Sequence, residues 1–196
     1  EQIYDAVKPF LYELDIDACP DGADFRIRLS TPATVMQLTE EEVKKTELFL
    51  RSAVVSAKLQ TVIEQYISKK TAKAWDDPVV LERIRKAVVG QKNVYWKEGS
   101  SRKISYEKGY NVLGYLAYQF PVYFVQFQHM LYEMAQAGIL KTRMKILDVG
   151  TGPGTVPLAI ADFYKRLEGR KADIYCVELY DENIEAFNSL VPHYAP

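Results

Sequence analysis

The stretch that most narrows what this chain can fold into runs from Lys145 to Glu178. Lys145-Ile146-Leu147-Asp148-Val149 has the makeup of a short buried strand. It runs directly into Gly150-Thr151-Gly152-Pro153-Gly154-Thr155 and then into a helix expected from about Val156 to Leu167. Pro157 falls in the first turn of that helix, where a missing N–H costs nothing because no intrahelical partner exists there. A second strand, Asp173 to Val177, ends at Glu178. Asp181 can then cap a second helix, with Ile184, Phe187 and Leu190 on its buried side. Strand, glycine turn, helix, strand, acid and helix make the opening half of a doubly wound parallel sheet, whose ligands bind beyond the carboxyl ends of the strands.

The residue types fit such a site. Gly150 and Gly152 can take positive φ and, without Cβ atoms, let a ligand lie against the backbone. Gly154 is expected to let the helix sit close to the strand. N–H groups at the helix start would point into the crevice. Glu178 can accept both hydroxyls of a ribose, and its charge would repel a 2′-phosphate.

A dinucleotide fingerprint requires G-x-G-x-x-G, but its third glycine position is occupied by Thr155. The sequence instead has D-x-G-x-G-x-G, with Asp148 two residues before Gly150. This resembles motif I of class I S-adenosylmethionine-dependent methyltransferases, which have a Rossmann-like domain. The resemblance implies that Asp148, Gly150, Thr151, Gly152 and Gly154 hold the methionine end of S-adenosylmethionine, with Glu178 on the ribose. A nicotinamide or other nucleotide stays open as an alternative. One departure is that Glu178 lies 28 residues beyond Gly150, where about 20 is usual; the polar loop Glu168-Gly169-Arg170-Lys171 can absorb the difference.

The aromatic lead-in Tyr115-Leu116-Ala117-Tyr118-Gln119-Phe120-Pro121, followed by a helix and Ile146 to Thr155, narrows the resemblance. From Tyr106 onward the chain is similar to the family of the mitochondrial small-ribosomal-subunit methyltransferase-like protein and its archaeal and bacterial relatives. The resemblance implies a methyltransferase acting on small-subunit ribosomal RNA or in assembly of that subunit. It also implies cytoplasmic localisation, or the mitochondrial matrix in a eukaryote. Tyr118 or Gln119 would cover the cofactor. A complete domain of this type has seven strands, so the chain is expected to hold only its start, and no catalytic residue can be named.

The fold expected is α/β: a mostly helical N-terminal region over 1–140, then an incomplete Rossmann-like domain over 141–196. In the first region Tyr4 to Leu14 is amphipathic, Cys19-Pro20-Asp21-Gly22 is a turn, and Phe25 to Leu29 alternates like a strand. Thr39 with Glu42 fits a capping box. It opens one helix that carries Leu48, Val55, Leu59, Val62 and Tyr66 on a single face and ends near Lys69 and Lys70. Asp77 and Pro78 start another helix, which Gly90 is expected to end. Pro121 is expected to open a helix with Phe124, Phe127, Leu131 and Met134 on the face toward the sheet, closed by Gly138.

The net charge of -1 conceals an asymmetry. From Lys69 to Lys108 there are 11 Lys/Arg against 5 Asp/Glu, and the rest of the chain has 14 against 21. Lys92, Lys97, Arg102, Lys103 and Lys108 alternate with Tyr95, Trp96 and Tyr106. Cations beside rings suit bases and phosphates, and they equally suit a loop whose rings tuck back onto the core. No run of apolar residues is long enough to span a membrane. Cys19 and Cys176 are isolated, as are His129 and His193, so no metal site is expected. Three functions compete: methyl transfer to ribosomal RNA, a non-catalytic S-adenosylmethionine-binding assembly factor, and a nucleotide-dependent oxidoreductase.

Overall fold

A computed structural model describes residues 16–18, 25–27, 35–52, 54–95, 109–167 and 170–194. It is mostly helical, with a small two-strand parallel sheet. Strands β1 (Ile16–Ala18) and β2 (Phe25–Ile27) form a separate antiparallel pair, with Ile16 opposite Ile27. The strand expected at Phe25 is therefore present as far as Ile27. The expectations for Tyr4 to Leu14, for the turn at Cys19 and for Lys97, Arg102, Lys103 and Lys108 lie outside the described residues.

The single long helix expected after Thr39 is two helices, α1 (Glu40–Ser52) and α2 (Ala57–Thr71). The capping box at its start is formed: the Thr39 N–H donates to Glu42 Oε2 at 2.8 Å, and the Glu42 N–H to Thr39 Oγ1 at 3.3 Å. The break comes where serines compete with helix bonding. The Ser52 hydroxyl donates to the Phe49 carbonyl at 2.7 Å, and Ser56 caps α2 by accepting the Leu59 N–H at 3.3 Å. The break resets the helical phase, so Leu48 does not share the face of Leu59, Val62 and Tyr66 and is 71% exposed.

Helix α3 (Pro78–Tyr95) starts as expected, with Asp77 Oδ1 accepting the Val79 N–H at 2.8 Å. Gly90 does not end it. The helix continues through this exposed glycine, which is tolerated at a cost of about 1 kcal/mol against alanine. Pro121 stands in the first turn of a helix, as expected, but that helix continues directly from an earlier one. A short helix α4 (Asn111–Gly114) passes through a five-residue π turn, Tyr115–Gln119, into α5 (Phe120–Gln136). Proline lacks an N–H, and its ring crowds the carbonyl four residues back. The wider turn immediately before Pro121 accommodates both, with the Phe120 N–H reaching back to the Tyr115 carbonyl.

Strands β3 (Arg143–Val149) and β4 (Lys171–Val177) pair in parallel, Asp148 opposite Cys176 and Val149 opposite Val177. Helix α6 (Thr155–Lys165) connects them, and α7 (Asp181–Tyr194) follows. The strands are not buried as expected. Met144, Ile146, Ala172 and Ile174 pack on the helical core, whereas Arg143, Lys145 and Val149 are exposed. Alternation explains this, because only one face of the described sheet meets helices. Helix α5 packs chiefly against α6, burying Phe124 and Leu131 and leaving Phe127 and Met134 partly exposed, and its Leu131 and Ala135 share a core with Met144 and Ile146 of the sheet. Of the three residues expected on the buried side of α7, Leu190 is fully buried and Ile184 and Phe187 half-buried. Among the described residues, no helix is long and apolar enough to cross a membrane.

Candidate functional site

The glycine turn lies where β3 meets α6, at the carboxyl end of the parallel pair. The N–H groups of Gly150 and Thr151 both donate to the Val177 carbonyl, at 2.8 and 3.1 Å, which ties the turn to the end of the neighbouring strand. Gly150 (φ 75°), Gly152 (φ 59°) and Gly154 (φ 97°) all take the left-handed conformation that residues with a side chain resist. A Cβ on Gly150 or Gly152 would meet nothing within 4 Å, so the outer side of the turn is open to a ligand. Gly154 differs. A Cβ there would come within 3.1 Å of Phe187 and of Val191, so its missing side chain admits α7 and not, as expected, the strand.

Four of the expected residues converge. Asp148 is the last residue but one of β3, Thr151 and Gly152 form the turn, and Glu178 follows β4 directly. Glu178 Oε2 accepts the Gly152 N–H at 2.7 Å, while Oε1 accepts the N–H groups of Leu179 at 2.7 Å and Tyr180 at 3.0 Å. A carboxylate offers about four lone-pair positions. With three taken by backbone, Glu178 can accept one hydroxyl of a ribose in this conformation, where the sequence led us to expect two. The 28-residue spacing accommodates α6, which ends at Lys165, and a seven-residue β4 that begins at Lys171.

Two polar atoms at the turn are buried without a hydrogen-bond partner: Asp148 Oδ2 and Thr151 Oγ1. Thr151 is only 7% exposed. Burial pushes the Asp148 carboxyl above its ordinary range and the Glu178 charge adds to the effect. The Thr151 hydroxyl offsets part of it although it falls short of hydrogen-bond geometry. Such a carboxylate favours a cationic or N–H-donating ligand, because a donor relieves both the burial cost and the repulsion. Cys176, opposite Asp148, is half-buried, and burial pushes its thiol up.

The linkage for Asp148 has a definite sign. A carboxyl raised in the folded state binds its proton more tightly there than in the unfolded chain. Its contribution to stability is therefore present at low pH and is lost as pH rises from the ordinary aspartate value through the raised one. Asp148→Asn is accordingly expected to raise the melting temperature of the ligand-free chain at neutral pH and to flatten that part of its pH dependence. The same change should weaken a cation-bearing ligand by about tenfold or more, the size of a charged hydrogen bond. Thermal melts across acid to neutral pH, with ligand titrations beside them, check both. A variant less stable than wild type at neutral pH would show that Asp148 has a structural partner.

The aromatic lead-in contributes differently from expectation. Gln119 is buried and donates to Gln91 Oε1 at 2.9 Å, which commits it to α3 and away from the turn. Tyr118 is 46% exposed beneath Lys92, whose Nζ lies 5.4 Å from the ring centre. The residue that reaches the turn is Tyr115, whose hydroxyl lies 3.0 Å from Thr155 Oγ1. Its place in the lead-in was visible in the sequence, but the π turn that directs it was not. His129 and His193 are exposed on helix surfaces. Among the described residues, no three His, Cys, Asp or Glu side chains gather as a metal site. Family models, the curated proteins and the solved structures give no match to this chain.

Proposed function

We propose that the glycine turn binds S-adenosylmethionine and that the chain serves methyl transfer to small-subunit ribosomal RNA. On this reading β3, α6, β4 and α7 are the first part of a Rossmann-like, doubly wound sheet. The observation that carries it is the buried, unpartnered pair Asp148 Oδ2 and Thr151 Oγ1, beside an open glycine turn at the carboxyl end of a parallel strand pair. Asp148 and Thr151 would face the amino-acid end of the cofactor, whose ammonium suits a raised carboxyl. Glu178 would take a ribose hydroxyl at its remaining acceptor position. Bound there, S-adenosylmethionine supplies a methyl group on a positively charged sulfur, and transfer requires chiefly that the acceptor be held in line with it. A nicotinamide dinucleotide fits less well: Thr155 fills the third glycine position and is buried, and its hydroxyl is engaged by Tyr115.

The RNA side of the proposal draws support from α3. Arg83 lies over the Tyr110 ring at 5.6 Å and Lys92 over the Tyr118 ring at 5.4 Å, and neither cation is in an ion pair among the described residues. Cations paired with partly exposed rings suit phosphates and stacked bases. Replacing both Arg83 and Lys92 with alanine is expected to weaken small-subunit RNA binding and to reduce the salt slope by about one for each phosphate no longer neutralised. Unchanged, salt-independent affinity in fluorescence anisotropy would remove the RNA from the proposal. The function itself is tested by incubating the full gene product with methyl-labelled S-adenosylmethionine and small ribosomal subunits from cells lacking the gene. Label in RNA that disappears with Asp148→Asn is the expected result. Cofactor binding without any transfer of label would instead identify a non-catalytic assembly factor.

A further inference from the structure

We infer that Tyr115 is a positioning residue for the ligand-binding turn; the inference rests on the S-adenosylmethionine reading of that turn. The N-cap of helix α6 is Gly154, which has no side chain to cap it. The first side chain of the helix is therefore that of Thr155, which is 3% exposed. A buried threonine hydroxyl needs a hydrogen-bond partner. The carbonyl of Thr151, the site residue, accepts the Gly154 N–H at 3.2 Å. The Tyr115 hydroxyl, 3.0 Å from Thr155 Oγ1, gives the threonine a partner outside the turn and leaves the turn backbone undisturbed.

Two features fix where Tyr115 stands. Gly114 lies so close to α3 that a Cβ there would come within 3.3 Å of Ala87 Cβ. The π turn that begins at Tyr115 then sets the direction of its side chain. The Tyr123 ring, 6.4 Å away and tilted by 46°, supports it from two turns further along the helix. The aromatic lead-in thus reaches the ligand site through this hydroxyl pair, across 40 residues of chain. Without that contact Thr155 Oγ1 is buried and unsatisfied, at the residue that directly follows the glycine turn. A shift there moves Thr151, Gly152 and the N–H groups that follow.

The test is calorimetric titration of S-adenosylmethionine into wild type, Tyr115→Phe, Thr155→Val, Thr155→Ser and the Tyr115→Phe/Thr155→Val double variant. Tyr132→Phe is the control. It removes a comparable hydroxyl bond, to Glu47 Oε1 at 3.0 Å, on a different surface of α5. Tyr115→Phe and Thr155→Val are each expected to weaken binding by about fivefold, the worth of one neutral hydrogen bond. The double variant should be no weaker than either single one. Thr155→Ser keeps the hydroxyl and should bind like wild type, and Tyr132→Phe should lower the melting temperature without changing affinity. Wild-type affinity in Tyr115→Phe, or equal loss in Tyr132→Phe, would overturn the inference and leave the cofactor reading standing. A wild-type chain that takes up no S-adenosylmethionine would overturn both.

Discussion

Replacing Asp162 with alanine is expected to cost the fold about 3–5 kcal/mol, the usual loss when one member of a buried ion pair is removed. Asp162 sits on α6 with its side chain 10% exposed, paired with Arg166 one turn later. Its Oδ2 also accepts the Gln128 amide from α5 at 3.0 Å, and its Oδ1 accepts the Tyr194 hydroxyl from the end of α7. Ser56, the cap of α2, donates to that same tyrosine oxygen at 3.0 Å. Three helices therefore meet at one carboxylate, and the cap of a fourth reaches it through Tyr194. Alanine would leave the Tyr194 hydroxyl and part of the Arg166 guanidinium buried without an acceptor. Domains of this size have about 5–15 kcal/mol of stability in total, so much of the margin would go. Urea denaturation followed by circular dichroism measures it, with Asp162→Asn, which keeps the shape and one acceptor oxygen, expected to lose less. A loss for alanine below about 1 kcal/mol, the worth of an ordinary single hydrogen bond, would mean that apolar packing alone holds these helices together.

The second large effect is on binding. Glu178→Ala is expected to weaken S-adenosylmethionine by about 1.5–3 kcal/mol, the range for a hydrogen bond to a charged group. Two losses act together. The ribose loses its acceptor, and the Gly152 N–H loses the carboxylate that holds the turn at 2.7 Å. Glu178→Gln separates them, because an amide oxygen can still accept one N–H while the negative charge is gone. Calorimetric titration of both variants reads the difference. Unchanged affinity in a folded Glu178→Ala protein would place the ribose elsewhere.

The sequence signals that proved reliable are short-range. The Thr39–Glu42 box, the Asp77 cap before Pro78, and the strand, glycine turn, helix and strand from β3 to β4 depend on residues within a few positions of one another. The convergence of Asp148, Thr151 and Glu178 at one end of the sheet follows from that connectivity. What the sequence concealed is set by distant partners. Leu48 fits an apolar stripe only if the helix continues, and Ser56 ends that stripe by capping a new helix that also meets Tyr194. Gln128 interrupts an aromatic face as a polar residue, yet it is fully buried because Ala159 and Asp162 lie 31 and 34 residues away in sequence. Gly154 reads as a close approach of helix to strand, and only the position of α7 shows that Phe187 and Val191 need the space. Arg170 reads as loop polarity, but it pairs with the capping Glu42 and donates to the Gln37 carbonyl at 2.6 Å. Burial works to raise the Glu42 carboxyl, but the Thr39 N–H and Arg170 outweigh it and hold it below the usual range. Propensity and periodicity carry none of these pairings.

Whether the turn from Asp148 to Gly154 is a site for S-adenosylmethionine is tested most directly by calorimetry. The ligand is titrated into wild type and Asp148→Asn, with a nicotinamide dinucleotide titrated in parallel. The expected result is single-site binding of S-adenosylmethionine to wild type, weakened by about tenfold or more in the folded Asp148→Asn variant, and no saturable uptake of the dinucleotide. Dinucleotide binding in place of S-adenosylmethionine, or S-adenosylmethionine affinity indifferent to Asp148, would contradict it.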